Sequence, residues 1–118
     1  MKKYRLTIIT ENQNRPEKAR KFSELINGGL NSSCEFKISK YEKLKDSYKI
    51  EFIGEIKQKS NSISESVELT DRICSPWIMW FNRTQNEIEL IFNKTDKSVF
   101  RKNEFNTINW ASFEIENE

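Results

Sequence analysis

The first apolar residues alternate with polar ones: Tyr4, Leu6 and Ile8 interleave with Arg5 and Thr7, and Ile9 lends the second face some apolarity. This period of two predicts a strand over 4–10, because successive side chains leave a pleated backbone on opposite faces. The spacing then changes. Ala19, Phe22, Leu25 and Ile26 recur at helical intervals, with Asn14 placed as the N-cap, Pro16 in the first turn and Glu17 three residues after the cap. Gly28 and Gly29 supply the stop. Glu17 with Lys21, and Arg20 with Glu24, stand four residues apart and are expected as pairs on the solvent side.

Period two returns at Cys34, Phe36 and Ile38, and again at Tyr48, Ile50, Phe52, Gly54 and Ile56. A polar link carrying Lys43, Lys45 and Asp46 joins these runs, which predicts an antiparallel hairpin. Residues 60–74 fit two patterns. Ile63, Val67, Thr70 and Cys74 make a helix face, capped by Ser60 or Ser62 with Glu65 three residues after Ser62, whereas Val67 and Leu69 also suit a strand. Length and the cap favour a helix, and Pro76 disfavours helical geometry at Ser75, so the helix should stop near Cys74.

Trp77-Ile78-Met79-Trp80-Phe81 carries no charge. Alternation puts Trp77, Met79 and Phe81 on one face, and Ile78 and Trp80 on the other. Such a strand is either central and covered twice, or covered once with its other face sticky. A turn at 82–86 leads to Ile88, Leu90 and Phe92; Val99-Phe100 follows, and Ile108, Trp110, Phe113 and Ile115 form a last strand. The order β-α-β-β-α-β-β-β predicts an α+β fold, a mostly antiparallel sheet of roughly five to seven strands with two helices packed on one face. Residues 1–118 read as a single domain.

Composition narrows the chemistry. Only 36% of residues are apolar and 32% are charged, but 8 Phe, 3 Trp and 3 Tyr restore core volume and argue against disorder. A net charge of +2 excludes a strongly basic nucleic-acid binder and a strongly acidic nucleic-acid mimic. The chain has no His, which removes imidazole-activated nucleophiles, His-ligated metals and His proton shuttles. Cys34 and Cys74 cannot build a zinc site by themselves, and both fall in apolar patterns expected to be buried. Gly28, Gly29 and Gly54 offer no phosphate-cradling loop. Neither catalysis nor a cofactor is expected. The apolar stretch after the basic start ends by Glu11, too short for a secretory or membrane-spanning segment, so the expectation is a cytoplasmic protein without membrane contact.

The first half matches the split βαβ arrangement that RNA-recognition domains share with many small-molecule and protein binders. The strand 47–54 lacks the basic-Gly-aromatic signature of those domains, and Glu51 and Glu55 would repel phosphate, so no nucleic-acid partner is expected. Glu65, Glu68 and Asp71 on the second helix read as an exposed acidic surface suited to a basic partner. Tryptophan is enriched at interface hot spots. Trp77 and Trp110 are assigned to the core, while for Trp80 core and surface both stay open. If the helices cover Trp77, Met79 and Phe81, then Trp80 joins Glu87 and Glu89 as a partner-binding group.

The β-α-β-β opening, and the Pro76-Trp77-Ile78-Met79-Trp80 strand followed by a meander, resemble the small immunity proteins of bacterial contact-dependent inhibition and related polymorphic toxin systems. That resemblance covers the whole chain as a type. It implies stoichiometric binding to a cognate toxin domain, often a nuclease, by occlusion of its active site or a neighbouring surface. Nuclease-blocking members are often acidic, and the charge of +2 departs from that pattern. The expected surface is Glu65, Glu68, Asp71, Trp80, Glu87 and Glu89. The alternative is a small-molecule or peptide-binding module with an apolar pocket between sheet and helices.

Overall fold

A computed structural model describes residues 3–30, 34–56, 62–84 and 87–116. The elements are β1 (Lys3–Thr10), α1 (Pro16–Gly29), β2 (Glu35–Lys40), β3 (Tyr48–Glu55), α2 (Ser62–Asp71), β4 (Cys74–Ser75), β5 (Ile78–Phe81), β6 (Ile88–Asn93), β7 (Val99–Phe100) and β8 (Ile108–Glu116), with a 3₁₀ turn at Asn103–Thr107. Six strands form one sheet in the order β2-β3-β1-β8-β6-β5, and β4 pairs with β7 in a separate ribbon. Every pairing is antiparallel. The fold is α+β, as the periodicities predict.

Strand β1 lies inside the sheet, paired with β3 along one side and β8 along the other. Helix α1 carries the chain past the position of β3 to β2, and the β2–β3 hairpin returns to β1. Alternation then sorts the side chains. Tyr4, Leu6 and Ile8 of β1, Ile50 and Phe52 of β3, Leu90 and Phe92 of β6, and Ala111 and Phe113 of β8 are all buried in one cluster. Phe22 and Ile26 from α1, Leu69 from α2, and Phe105 from the 3₁₀ turn close over it. Ala19 and Ser23 complete the buried stripe of α1, where the Ser23 hydroxyl donates to the Ala19 carbonyl at 2.7 Å.

One close approach depends on glycine. Tyr4 lies directly opposite Gly54 and stacks on Phe113, ring centroids 5.1 Å apart. A Cβ at Gly54 would come within 2.5 Å of Tyr4 Cζ, so the ring occupies the space where another residue would have a side chain.

The structure corrects two local expectations. Helix α1 begins at Pro16 with Arg15, not Asn14, at the N-cap; Arg15 is extended (φ −141°, ψ 144°) and makes no side-chain cap. Proline suits the first helical position, which moves the start one residue on. The Gln13 N–H also donates to the Asp46 carbonyl at 2.8 Å, and Asn12 takes a left-handed φ of 58°, fixing the approach. Helix α2 is a helix but ends at Asp71, short of Cys74. The Arg72 and Ile73 N–H groups tighten onto the Leu69 and Thr70 carbonyls, and Cys74-Ser75 turns outward to pair with β7. Arg101 ties this corner, donating from Nη2 to Asp71 Oδ1 at 2.6 Å and from its backbone N–H to the Ile73 carbonyl at 3.0 Å. The possible cap Ser60 lies outside the described residues. Of the two placements the 77–81 run allows, β5 takes the one covered on a single face: it is an edge strand with Ile78 and Trp80 exposed.

Two outcomes are expected. Gly54→Ala forces Tyr4 out of its stack and costs about 1–3 kcal/mol in urea unfolding; in a Tyr4→Leu background the same change costs less, as a double-mutant cycle reads. Burial pushes the Cys74 thiol from 9.0 up to about 12, with nearby Arg101 lowering it and Asp71 raising it by smaller amounts. The folded protein keeps this proton in a window where the unfolded chain has lost it, so the contribution is intact below pH 9.0 and lost as pH rises to about 12. The stability gap between Cys74→Ala and the parent therefore narrows across that window, measured by urea unfolding at successive pH values.

Candidate functional site: the open face of the sheet

The face opposite the helices carries the odd partners of the core pattern. Register aligns them in three rows across the sheet. The first reads Glu35, Ile53, Arg5, Glu114, Glu89, Trp80; the second reads Lys37, Glu51, Thr7, Ser112, Ile91, Ile78. The third reads Ser39, Lys49, Ile9, Trp110, Asn93. No helix among the described residues packs on this face, since both helices contribute their buried residues to the other side.

The two edges differ. On β2, the open-face residues Glu35 and Lys37, together with Lys40, are charges of the kind that discourage edge-to-edge association. Edge β5 has none: Ile78 is 73% exposed and Trp80 55% exposed, both on the open face. Phe81 points to the helical side, opposite Ile88, and is exposed at the strand end. Carboxylates border this apolar edge. Glu89 is directly opposite Trp80, Glu114 is directly opposite Glu89, and the exposed Glu87 donates its backbone N–H to Asn82 Oδ1 at 3.2 Å.

On the same face, over β3, β1 and β8, a cavity of about 480 Å³ opens. Its floor is Thr7 and Ile9 of β1, Lys49 of β3, and Trp110 and Ser112 of β8; Tyr41 and Leu44 of the β2–β3 loop and Asn109 complete the lining. The depression exists because β1 and β8 place two short side chains, Thr7 and Ser112, directly opposite each other in the middle of the sheet. The loop wall is held in place. The Tyr41 N–H donates to the Ser47 carbonyl at 3.0 Å, and the Tyr48 N–H to Thr10 Oγ1 at 3.1 Å. Asp46 takes a left-handed φ of 54°.

The residues singled out in the sequence fall into two groups. Trp80, Glu87 and Glu89 lie together at the β5–β6 end. Glu65, Glu68 and Asp71 ride α2, whose Leu69 is buried in the core on the other side of the sheet, so the six do not form one surface. Glu68 accepts from Arg72 Nη2 at 2.6 Å, and Asp71 pairs with Arg101, so both carboxylates are engaged within the fold. Trp77 packs on the core as expected, 5.6 Å from Phe92 between ring centroids, its Nε1–H donating to the Cys74 carbonyl at 2.7 Å. Trp110 does not join the core; register places it on the open face, half-buried beside the cavity. The cavity itself lies across the sheet from the helices, not between sheet and helices.

Sequence reasoning missed Thr7, Tyr41, Leu44, Lys49, Asn109 and Ser112. Leu44 alone carried a signal, an apolar residue inside the charged link Lys43-Leu44-Lys45. No helix among the described residues is long and apolar enough to cross a membrane. Among those residues no group of three or more His, Cys, Asp or Glu side chains is placed to hold a metal ion. In comparisons with known proteins the chain matches no family model, no curated protein and no solved structure.

The exposure of Trp80 sets a clear contrast. Trp80→Ala is expected to alter stability by no more than about 0.5 kcal/mol, as surface changes do. Leu90→Ala, in the buried row of the neighbouring strand, is expected to cost about 2–5 kcal/mol. Parallel urea titrations followed by far-UV circular dichroism check both.

Proposed function

We propose that this protein is a stoichiometric protein-binding inhibitor of the immunity type, docking a cognate toxin domain on the β5 end of its open sheet face. It works by occlusion, without chemistry of its own, without a cofactor and without a nucleic-acid or membrane partner, in the cytoplasm. The observation that carries this reading is the uncharged edge strand with Ile78 73% and Trp80 55% exposed. A soluble fold gains nothing by holding a tryptophan and an isoleucine in water, whereas an interface uses such side chains as anchors. Glu87, Glu89 and Glu114 beside them favour a partner with a basic contact surface and speed its approach at low salt. Among the described residues no strand pairs with the outer edge of β5, which offers backbone groups to a partner strand.

The test is co-expression with the polypeptide encoded immediately upstream, followed by size exclusion and native mass spectrometry. A one-to-one complex is expected, and Trp80→Ala is expected to weaken it by about 2 kcal/mol or more, roughly thirtyfold in Kd. Glu89→Gln lowers the association rate and its salt dependence, while Glu68→Gln, across the sheet and paired with Arg72, leaves both unchanged. A complex equally tight with Trp80→Ala would remove the β5 face as the interface, and absence of any complex would remove the inhibitor reading.

A further inference from the structure

The cavity over β3, β1 and β8 shares no lining residue with the β5 edge and has its own chemistry. We infer that it is a binding site for a small organic anion with a planar aromatic body. Its volume of about 480 Å³ falls within the range of small-molecule sites. Ile9, Leu44 and the rings of Tyr41 and Trp110 give the lining its apolar character. Thr7, Ser112 and Asn109 add neutral polar groups. Among the described residues the lining holds one charged side chain, Lys49, and no carboxylate. That is the composition of a site built for an apolar ring with one negative group.

Lys49 is available for that task. Its Nζ stands 3.9 Å from Glu51 Oε1, at the outer limit of an ion pair and beyond hydrogen-bond length, and its side chain is 44% exposed. The ammonium therefore keeps donors for a ligand. The wall is pre-formed as well. Leu44, flanked by the charged Glu42, Lys43, Lys45 and Asp46, is held 38% exposed at the cavity while the loop backbone is anchored by the Gln13-to-Asp46 and Tyr41-to-Ser47 hydrogen bonds. A leucine kept at the rim by a fixed loop costs little on ligand entry and gains cover from it.

The site is tested on the full chain by two-dimensional ¹H–¹⁵N NMR, with indole-3-acetate and uncharged indole as the probes. Indole-3-acetate is expected to shift the amides of Thr7, Ile9, Lys49 and Ser112 and the indole N–H of Trp110, and to bind about tenfold more tightly than indole, as one charge-assisted contact supplies. Lys49→Met, whose own spectrum reports whether it is folded, removes that preference while retaining indole binding. Trp80→Ala leaves both titrations unchanged, which separates this site from the protein-binding edge. Equal affinity for the two probes in the parent, shifts confined to Ile78 and Trp80, or no shift with either probe at millimolar concentration would each overturn the proposal.

Discussion

The structure depends on β1 being paired along both sides. Its register with β3 and with β8 decides, for the middle of the sheet, which side chains enter the core and which face out. A slip of one residue on either side would exchange the two faces of a strand, sending Leu6 or Phe113 into water and a charge inward. Tyr4 locks that register. Its ring fills the space over Gly54 on one neighbour and stacks on Phe113 of the other, so a single side chain bridges three strands. A glycine inside a strand ordinarily weakens it; here its missing side chain makes the room that lets the aromatic ring lie flat.

From that constraint follows the asymmetry of the molecule. The helical face is filled by aromatic and branched residues beneath α1, α2 and the 3₁₀ turn, and its buried polar groups on the helices are satisfied locally, as Ser66 and Thr70 donate to the Ser62 and Ser66 carbonyls. On the other face, among the described residues, no helix packs and only the β2–β3 loop folds over part of it. Charges run across it from Glu35 on β2 through Arg5 and Glu114 to Glu89 on β6, the small residues Thr7 and Ser112 lie in the centre, and apolar side chains stand at β5. The end of the sheet by the cavity is braced from several elements at once. Lys94 reaches Glu11 Oε2 at 2.9 Å and the Asn106 carbonyl at 2.5 Å, linking the end of β6 to the β1–α1 loop and the 3₁₀ turn.

A rigid sheet with one covered face is well suited to binding without chemistry. Side chains on strands are held by the ladder, so an anchor such as Trp80 loses little freedom when a partner arrives. In the reading proposed above, two parts of the face take different occupants: the apolar edge bordered by carboxylates a macromolecular surface, and the walled depression over β3, β1 and β8, with one ammonium, a small anion. The paired acids of α2 sit outside both, where their engagement with Arg72 and Arg101 contributes to holding the α2–β4 corner.

Periodicity determined the six strands of the main sheet, helix α1, the β2–β3 hairpin, the α+β class and the division of Trp77, Met79 and Phe81 from Ile78 and Trp80, because period two and period 3.6 are local consequences of backbone geometry; for α2 length and the cap were needed as well, and the two-residue strands β4 and β7 are too short to show a period. It also marked Trp80 with Glu89 as neighbours on one face. Strand order, and with it the placing of β5 at an edge, was decided only by tertiary structure: the same uncharged apolar run suits a buried centre or a bare edge, and nothing within five residues tells them apart. The grouping of Glu65, Glu68 and Asp71 with Trp80 required the two faces to be known, since a helix and a strand adjacent in sequence can lie on opposite sides of a sheet. The cavity was least legible of all. It arises from two short side chains far apart in the chain, Thr7 and Ser112, brought opposite each other by the β1–β8 register, and from a loop folded over them, an arrangement that no local pattern encodes.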